Sequence, residues 1–203
     1  MKFKDKIIEL LKNNNGIITT KEIVENGIPR ITLTRLINNG IIIRERHGLY
    51  VLNGEIGDEY YSLIYNIPQA IFSHLTALYF HNLSDRVPLT YDITVSKEYR
   101  GRLEQDLTVN LYKVDKELLD LGKIQIKSPQ GQDIFVYDIE RCLCDLIKDK
   151  NSVDFELLKK AFVEYYRVDK NDTFKLYKYA NKLGIENEVN EFMETLLWRL
   201  QKI

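Results

Sequence analysis

The first fifty residues carry apolar positions at helical spacing, then a basic hairpin. Phe3, Ile7, Leu10 and Leu11 form one stripe, which predicts a helix over residues 3–13. Asn13-Asn14-Asn15-Gly16 ends it. Thr19, with Glu22 three residues on, has the form of a capping box, so a short second helix is expected over 20–25 with Ile23 and Val24 facing inward. Glu25-Asn26-Gly27 turns the chain. Pro29 suits the first position of a third helix, where its missing N–H would be unpaired anyway. With Leu33 at the centre of the buried face, Leu36 and Ile37 lie beside it at i+3 and i+4. Ile31, Thr34, Arg35 and Asn38 then fall on the opposite face, with Arg30 at its margin. Gly40 stops this helix. The apolar runs Ile41-Ile42-Ile43 and Leu49-Tyr50-Val51 bracket Arg44, Glu45, Arg46, His47 and Gly48, a hairpin with a basic tip.

Beyond a linker at Asn53-Gly54-Glu55-Ile56-Gly57 the pattern changes. A helix is expected over 58–65, a strand at Ala70-Ile71-Phe72, and a helix over 74–82 capped by Ser73. Alternating runs predict strands at 91–96, 107–113, 123–128 and 133–138. Helices follow. Residues 139–149 place Ile139, Cys142, Leu143, Leu146 and Ile147 on one face, and 154–167 carry Phe155, Leu158, Phe162 and Tyr165. Helices over 172–183 and 187–201 close the chain. The expected class is α+β. A winged helix-turn-helix over 1–55 precedes a mixed α/β C-terminal domain over 56–203 that ends in a helical segment.

Overall charge says little, because the net charge is only −1. Its distribution says more: residues 1–53 hold nine Lys/Arg and five Asp/Glu, a net of +4, and the remainder carries a net of −5. A basic head on a mildly acidic body fits local contact with nucleic acid. No apolar run approaches a membrane span, and the charged start does not resemble a signal peptide, so a cytoplasmic protein with no membrane partner is expected.

The outward face of the third helix suits a major groove. Arginine bonds guanine bidentately, asparagine bonds adenine, and an apolar side chain meets a thymine methyl. Basic groups at a hairpin tip reach phosphates. The candidate DNA-binding residues are therefore Arg30, Ile31, Thr34, Arg35, Asn38, Arg44, Arg46 and His47. The plainer alternative is a surface helix and a solvated hairpin with no ligand.

Elsewhere the chemistry is sparse. His74 and His81 lie seven apart on one expected helix and so share a face, which is either a functional face or, since no Asp or Cys nearby completes a triad, a site of packing or a hydrogen-bonded structural pair. Gln125-Ile126-Lys127, with Asp92 or Asp106 upstream, faintly echoes a divalent-metal nuclease; in the plainer reading Ile124 and Ile126 face inward and Gln125 and Lys127 face water. Cys142 and Cys144, two apart on a helix, diverge too far to bridge and have no companion ligands. There is no Walker-type loop, nucleophile elbow or Gly-Ser dipeptide. No catalytic residue, metal or cofactor is expected. Lys159, Lys160, Lys170, Lys175, Lys178 and Lys182 alternate with Tyr165, Tyr166, Tyr177 and Tyr179, either as a second binding surface or, diluted by Glu156, Glu164, Asp169 and Asp172, as a solvated mixed face.

Three stretches together resemble the AbiEi family, antitoxins of type IV toxin–antitoxin systems linked to abortive phage infection. They are the head closing in His47-Gly48-Leu49-Tyr50-Val51, the run from Phe72 to Asp85, FSHLTALYFHNLSD, and the run from Glu140 to Ile147, ERCLCDLI. The chain departs from the family at His47, where Arg is usual, and at Asn82, where Gly is common. The resemblance implies a non-enzymatic protein whose head binds double-stranded DNA, inverted repeats in its own promoter, and represses the operon. It implies a body that neutralises a nucleotidyltransferase toxin without a stable complex. The alternative kept open is a winged-helix regulator with a ligand-sensing or dimerising C-terminal domain.

Overall fold

The computed structural model describes residues 2–150, 153–167 and 171–200, with the side chains of Lys2 and of residues 197–200 excepted. Asp169 and Lys170 of the lysine–tyrosine surface, and residue 201 of the last expected helix, lie outside the described residues. The chain forms two compact units, one of residues 1–68 with 125–134 and the other of 69–124 with 135–203. Both helices and sheets are present, as an α+β class requires.

The first unit begins with α1 (Lys2–Asn13), β1 (Ile17–Thr19), α2 (Thr20–Glu25) and α3 (Ile31–Asn38). A hairpin follows, β2 (Ile42–Arg46) and β3 (Leu49–Leu52), and then α4 (Glu59–Ile64). The expected capping box starts α2: Glu22 N donates to Thr19 Oγ1 at 3.2 Å and Thr19 N donates to Glu22 Oε2 at 2.8 Å. The sheet has three strands in the order β1-β3-β2, all antiparallel. β1 was not legible in the pattern, because three residues are too few to show a period. Ile7, Leu11, Ile18, Ile23, Ile28, Leu33, Leu36, Ile42 and Tyr50 form the core beneath the helices. Two residues expected inside are not: Phe3 is 43% and Val24 47% exposed. Phe3 precedes the first turn that reaches this core, and Val24 stands one position, about 100°, round the helix from buried Ile23.

This unit runs past the boundary that sequence reading draws at residue 55. Asp58 caps α4, accepting from Tyr61 N at 3.0 Å, and its second carboxylate oxygen accepts from Ser128 Oγ. Tyr61 and Tyr65 pack against Ile17, Leu49 and Val51. Gln132 Nε2 donates to Asn14 O at 2.8 Å. Side-chain contacts of this range carry no mark in local periodicity.

The second unit contains β4 (Ile71–Phe72), α5 (His74–Phe80), β5 (Tyr91–Ser96), a 3₁₀ turn (Arg102–Gln105), β6 (Val109–Val114) and α6 (Lys116–Leu119). β7 (Lys123–Lys127) and β8 (Asp133–Tyr137) follow; residues 125–134, which include parts of both strands and the turn between them, cluster with the first unit. The sheet is mixed, in the order β6-β5-β4-β8-β7, with β5–β6 and β4–β8 parallel and β4–β5 antiparallel. Then come α7 (Ile139–Lys148), α8 (Phe155–Arg167), α9 (Thr173–Leu183) and α10 (Glu186–Leu200). Neither the 3₁₀ turn nor α6 was expected, both being single turns. Ile124 is 36% exposed rather than inward, since β7 is an edge strand.

α7 departs most from its pattern. It was expected to bury one apolar face; instead every residue from Glu140 to Ile147 is buried. The helix packs against α5, α8, α9 and α10, so its charged residues are enclosed and must be paired. Arg141 meets Asp145, and Glu140 meets Tyr165 Oη and Lys175 Nζ at 3.2 and 3.0 Å. Lys175 also reaches Asp138 at 3.0 Å. Burial works against the Lys175 ammonium, but the Asp138 and Glu140 carboxylates outweigh it and raise its pKa above the ordinary lysine value.

Candidate nucleic-acid interface

α3 is fixed at both ends by the same type of turn. Before it, Ile28 N donates to Ile23 O and Gly27 N to Val24 O, closing α2. After it, Ile41 N donates to Leu36 O and Gly40 N to Ile37 O, each at 2.9 Å. This paired arrangement needs a left-handed residue at its centre, and Gly40 supplies it with φ +65°. The helix proper begins at Ile31, not Pro29, although Pro29 O already accepts from Thr32 N at 2.9 Å.

Leu33 and Leu36 are buried and Ile37 is half-buried, while Arg30, Ile31, Thr34, Arg35 and Asn38 are exposed on the outer face. Ile31 is 55% exposed, a large apolar side chain with no place in the core. The five candidate residues of the third helix are thus brought together on one surface.

The hairpin arranges its candidates differently from the expected tip. β2 runs on to Arg46, so the turn is His47-Gly48 alone, with Gly48 at φ +82°. A bulge lies between Arg44 and Arg46: Arg44 is opposite Tyr50, but Arg46 is opposite Leu49. Neighbours on a strand face opposite ways, so the two arginines leave the hairpin on different faces. Arg44 is exposed and its guanidinium meets His47 Nδ1; Arg46 is half-buried. Arg44 and His47 form one group.

His47 and Arg30 converge again on a groove of about 530 Å³ lined also by Thr20, Lys21, Val24, Glu25, Gly48, Tyr65 and Asn66. Lys21, Tyr65 and Asn66 escaped the sequence reading. Lys21 lies on a helix taken only as support, and Tyr65 and Asn66 lie beyond the supposed end of the head. Lys21 pairs loosely with Glu25 at 3.8 Å on an exposed surface.

Residues 5–53 match the AbiEi family model. Its description is transcriptional regulator, AbiEi antitoxin, and the match covers the AbiEi-like head and ends at Asn53. The resemblance seen in the sequence is borne out over this segment. The two other stretches that carry it, 72–85 and 140–147, lie outside the AbiEi match. The fold is similar to that in the crystal structure of the RV2827C protein from Mycobacterium tuberculosis, over 93% of this chain and 77% of that one, with 13% identity and a TM-score of 0.51. At that identity the likeness concerns fold alone. No curated protein matches the chain.

The remaining candidates have structural partners. His74 Nδ1 meets Ser73 Oγ at 2.9 Å, its Nε2 meets Asp149 Oδ2 at 3.1 Å, and its ring stacks on Tyr112. His74 itself has φ +46°, in the left-handed region that favours glycine. His81 Nε2 donates to Tyr137 O at 2.7 Å. Ser73 does not cap α5 with its side chain; Asp92 Oδ2 does, accepting from Leu75 N at 3.0 Å. Asp92 also accepts from Asn110 Nδ2, and Lys127 pairs with Asp133 at 2.7 Å, so neither Asp92 nor Lys127 stands as an unengaged nuclease group. Cys142 and Cys144 are free thiols in the core, Cys142 pushed well up by burial and Cys144 pushed up to about 12. Among the described residues, no group of three or more His, Cys, Asp or Glu is placed to hold a metal ion. Of the C-terminal lysines, Lys159 pairs with Glu156, Lys160 with Asp85, and Lys175 with Asp138 and Glu140. Tyr165 is buried, and no helix among the described residues is long and apolar enough to cross a membrane.

Proposed function

We propose that this chain is an antitoxin and autorepressor. Its head is a winged helix-turn-helix that binds the operon's own promoter, and its body neutralises a nucleotidyltransferase toxin without forming a stable complex with it. The observation that carries the reading is the outer face of α3: Arg30, Ile31, Thr34, Arg35 and Asn38 stand exposed together within the segment that matches an antitoxin transcriptional regulator. Arginine, asparagine and an apolar side chain are the groups that read base edges in a major groove. Arg44 with His47 supplies the phosphate contacts beside it.

The test is binding of the full-length chain to a duplex spanning its promoter and to a shuffled duplex of equal length, by fluorescence anisotropy across salt. Binding through Arg30, Arg35 and Arg44 makes the affinity fall steeply as salt rises, with a logarithmic slope of about −0.9 per phosphate neutralised. The promoter duplex is bound more tightly than the shuffled one. A folded chain that binds neither duplex removes the DNA-binding reading. Co-expression with the neighbouring toxin gene tests the second activity; growth arrest undiminished by the antitoxin overturns it.

A further inference from the structure

Tyr65 lies twelve residues beyond the AbiEi match, yet its hydroxyl donates to Gly48 O at 3.2 Å. The same carbonyl accepts from Thr20 N, the first residue of α2, at 2.9 Å. The two-residue turn of the hairpin is therefore tied at one atom to two elements that lie outside the hairpin. Gly48 is buried although it sits at a hairpin turn, with the Tyr65 hydroxyl 3.5 Å from where a Cβ would stand. Tyr65 is itself held: its ring lies 5.8 Å from that of Tyr61, and both pack on Ile17, Leu49 and Val51. Its phenolic hydroxyl is protonated at neutral pH and so able to donate.

We infer that Tyr65 is a positioning residue for DNA binding, acting through Gly48 to hold His47 and Arg44 at the phosphate backbone. The turn has only two residues, so fixing Gly48 fixes His47 beside it, and His47 in turn meets Arg44. A free hairpin would lose this ordering entropy on binding DNA; one already tied does not. The groove that Tyr65 shares with Arg30 and His47 puts the tie at the edge of the contact surface, not within the reading helix. The inference rests on the DNA-binding reading above and names a residue that reading does not use.

The experiment uses full-length Tyr65→Phe, which keeps the ring and its packing and removes the hydroxyl. Affinity for the promoter duplex falls about 3- to 10-fold, the salt slope becomes shallower by about one phosphate contact, and preference over the shuffled duplex is unchanged. A purely structural role would not produce this pattern. The deciding measurement is a double-mutant cycle: in an Arg44→Ala/His47→Ala background, Tyr65→Phe changes affinity less than 2-fold, because the groups it positions are gone. Thermal unfolding checks that every variant is folded. Equal affinity of wild type and Tyr65→Phe overturns the inference, as does an undiminished loss in the double background. No binding by wild type at all is a different result and overturns the DNA-binding reading itself.

Discussion

Arg141 Nε lies 3.0 Å from both carboxylate oxygens of Asp145, in a pair whose arginine side chain is wholly buried. The guanidinium also donates through Nη1 to Leu118 O and Leu121 O at 2.8 and 2.9 Å, and lies 4.3 Å over the Tyr137 ring. One side chain thus ties α7 to α6 and its following loop. Arg141→Met removes the cation, leaving a buried carboxylate and two carbonyls without it. The expected loss is about 3–5 kcal/mol of stability. In Arg141→Met/Asp145→Leu the unpaired charge is gone too, and part of the loss returns. Urea unfolding of the three proteins measures both; a single variant as stable as wild type contradicts the pairing.

Cys142 is enclosed by the body and its thiol donates to Tyr137 O at 3.5 Å. Cys142→Ala is expected to cost about 1–2 kcal/mol, through packing alone. Neither thiol should react with a thiol reagent until the protein unfolds, as burial raises the pKa of both. Fast labelling of the native protein, or metal lost with the variant, would show another role for this cysteine.

The His74 hydrogen bond holds the Asp149 carboxyl below the ordinary carboxylate range. A depressed carboxyl contributes stability above its unfolded pKa and loses it as pH falls through the folded one. Wild type should therefore exceed Asp149→Asn in denaturant midpoint near neutrality, and the gap should close in acid, below about pH 4. Asp149 is partly exposed, so the gap is modest and shrinks with salt. A gap that is constant with pH would show that the aspartate's charge plays no part.

Arg35 is exposed on the outer face of α3, away from Leu33 and Leu36. Arg35→Ala should leave stability within about 0.5 kcal/mol. It should weaken promoter binding by a factor of about 5 to 150, the range of one bidentate base contact. If the body alone neutralises the toxin, this variant loses repression in a promoter-reporter assay yet still protects cells in a toxin growth assay. Loss of both at matched abundance would join the two activities that we assign to separate parts of the chain.

Local chemistry by itself determined the outer face of α3, the capping box at Thr19 and the stop at Gly40. Each depends on residues within four positions of one another, and helical geometry converts that spacing directly into facing. It also determined the four longer strands of the body from their alternation of apolar and polar residues, although β5 is buried on both sides. Only the tertiary structure decided where the hairpin's basic groups go, because a bulge between Arg44 and Arg46 depends on pairing with Leu49 and Tyr50, not on β2 alone. The extent of the first unit was decided in the same way, through Asp58 with Ser128 and Tyr65 with Gly48, contacts that join residues 70 and 17 positions apart. α7 is the clearest case: its sequence has the polar positions of a surface helix, but neighbouring helices enclose it and Arg141, Asp145 and Glu140 pair inside the fold. Periodicity reports which side of an element is apolar; whether a polar side meets water or a partner depends on what packs there, and that is set by residues far along the chain.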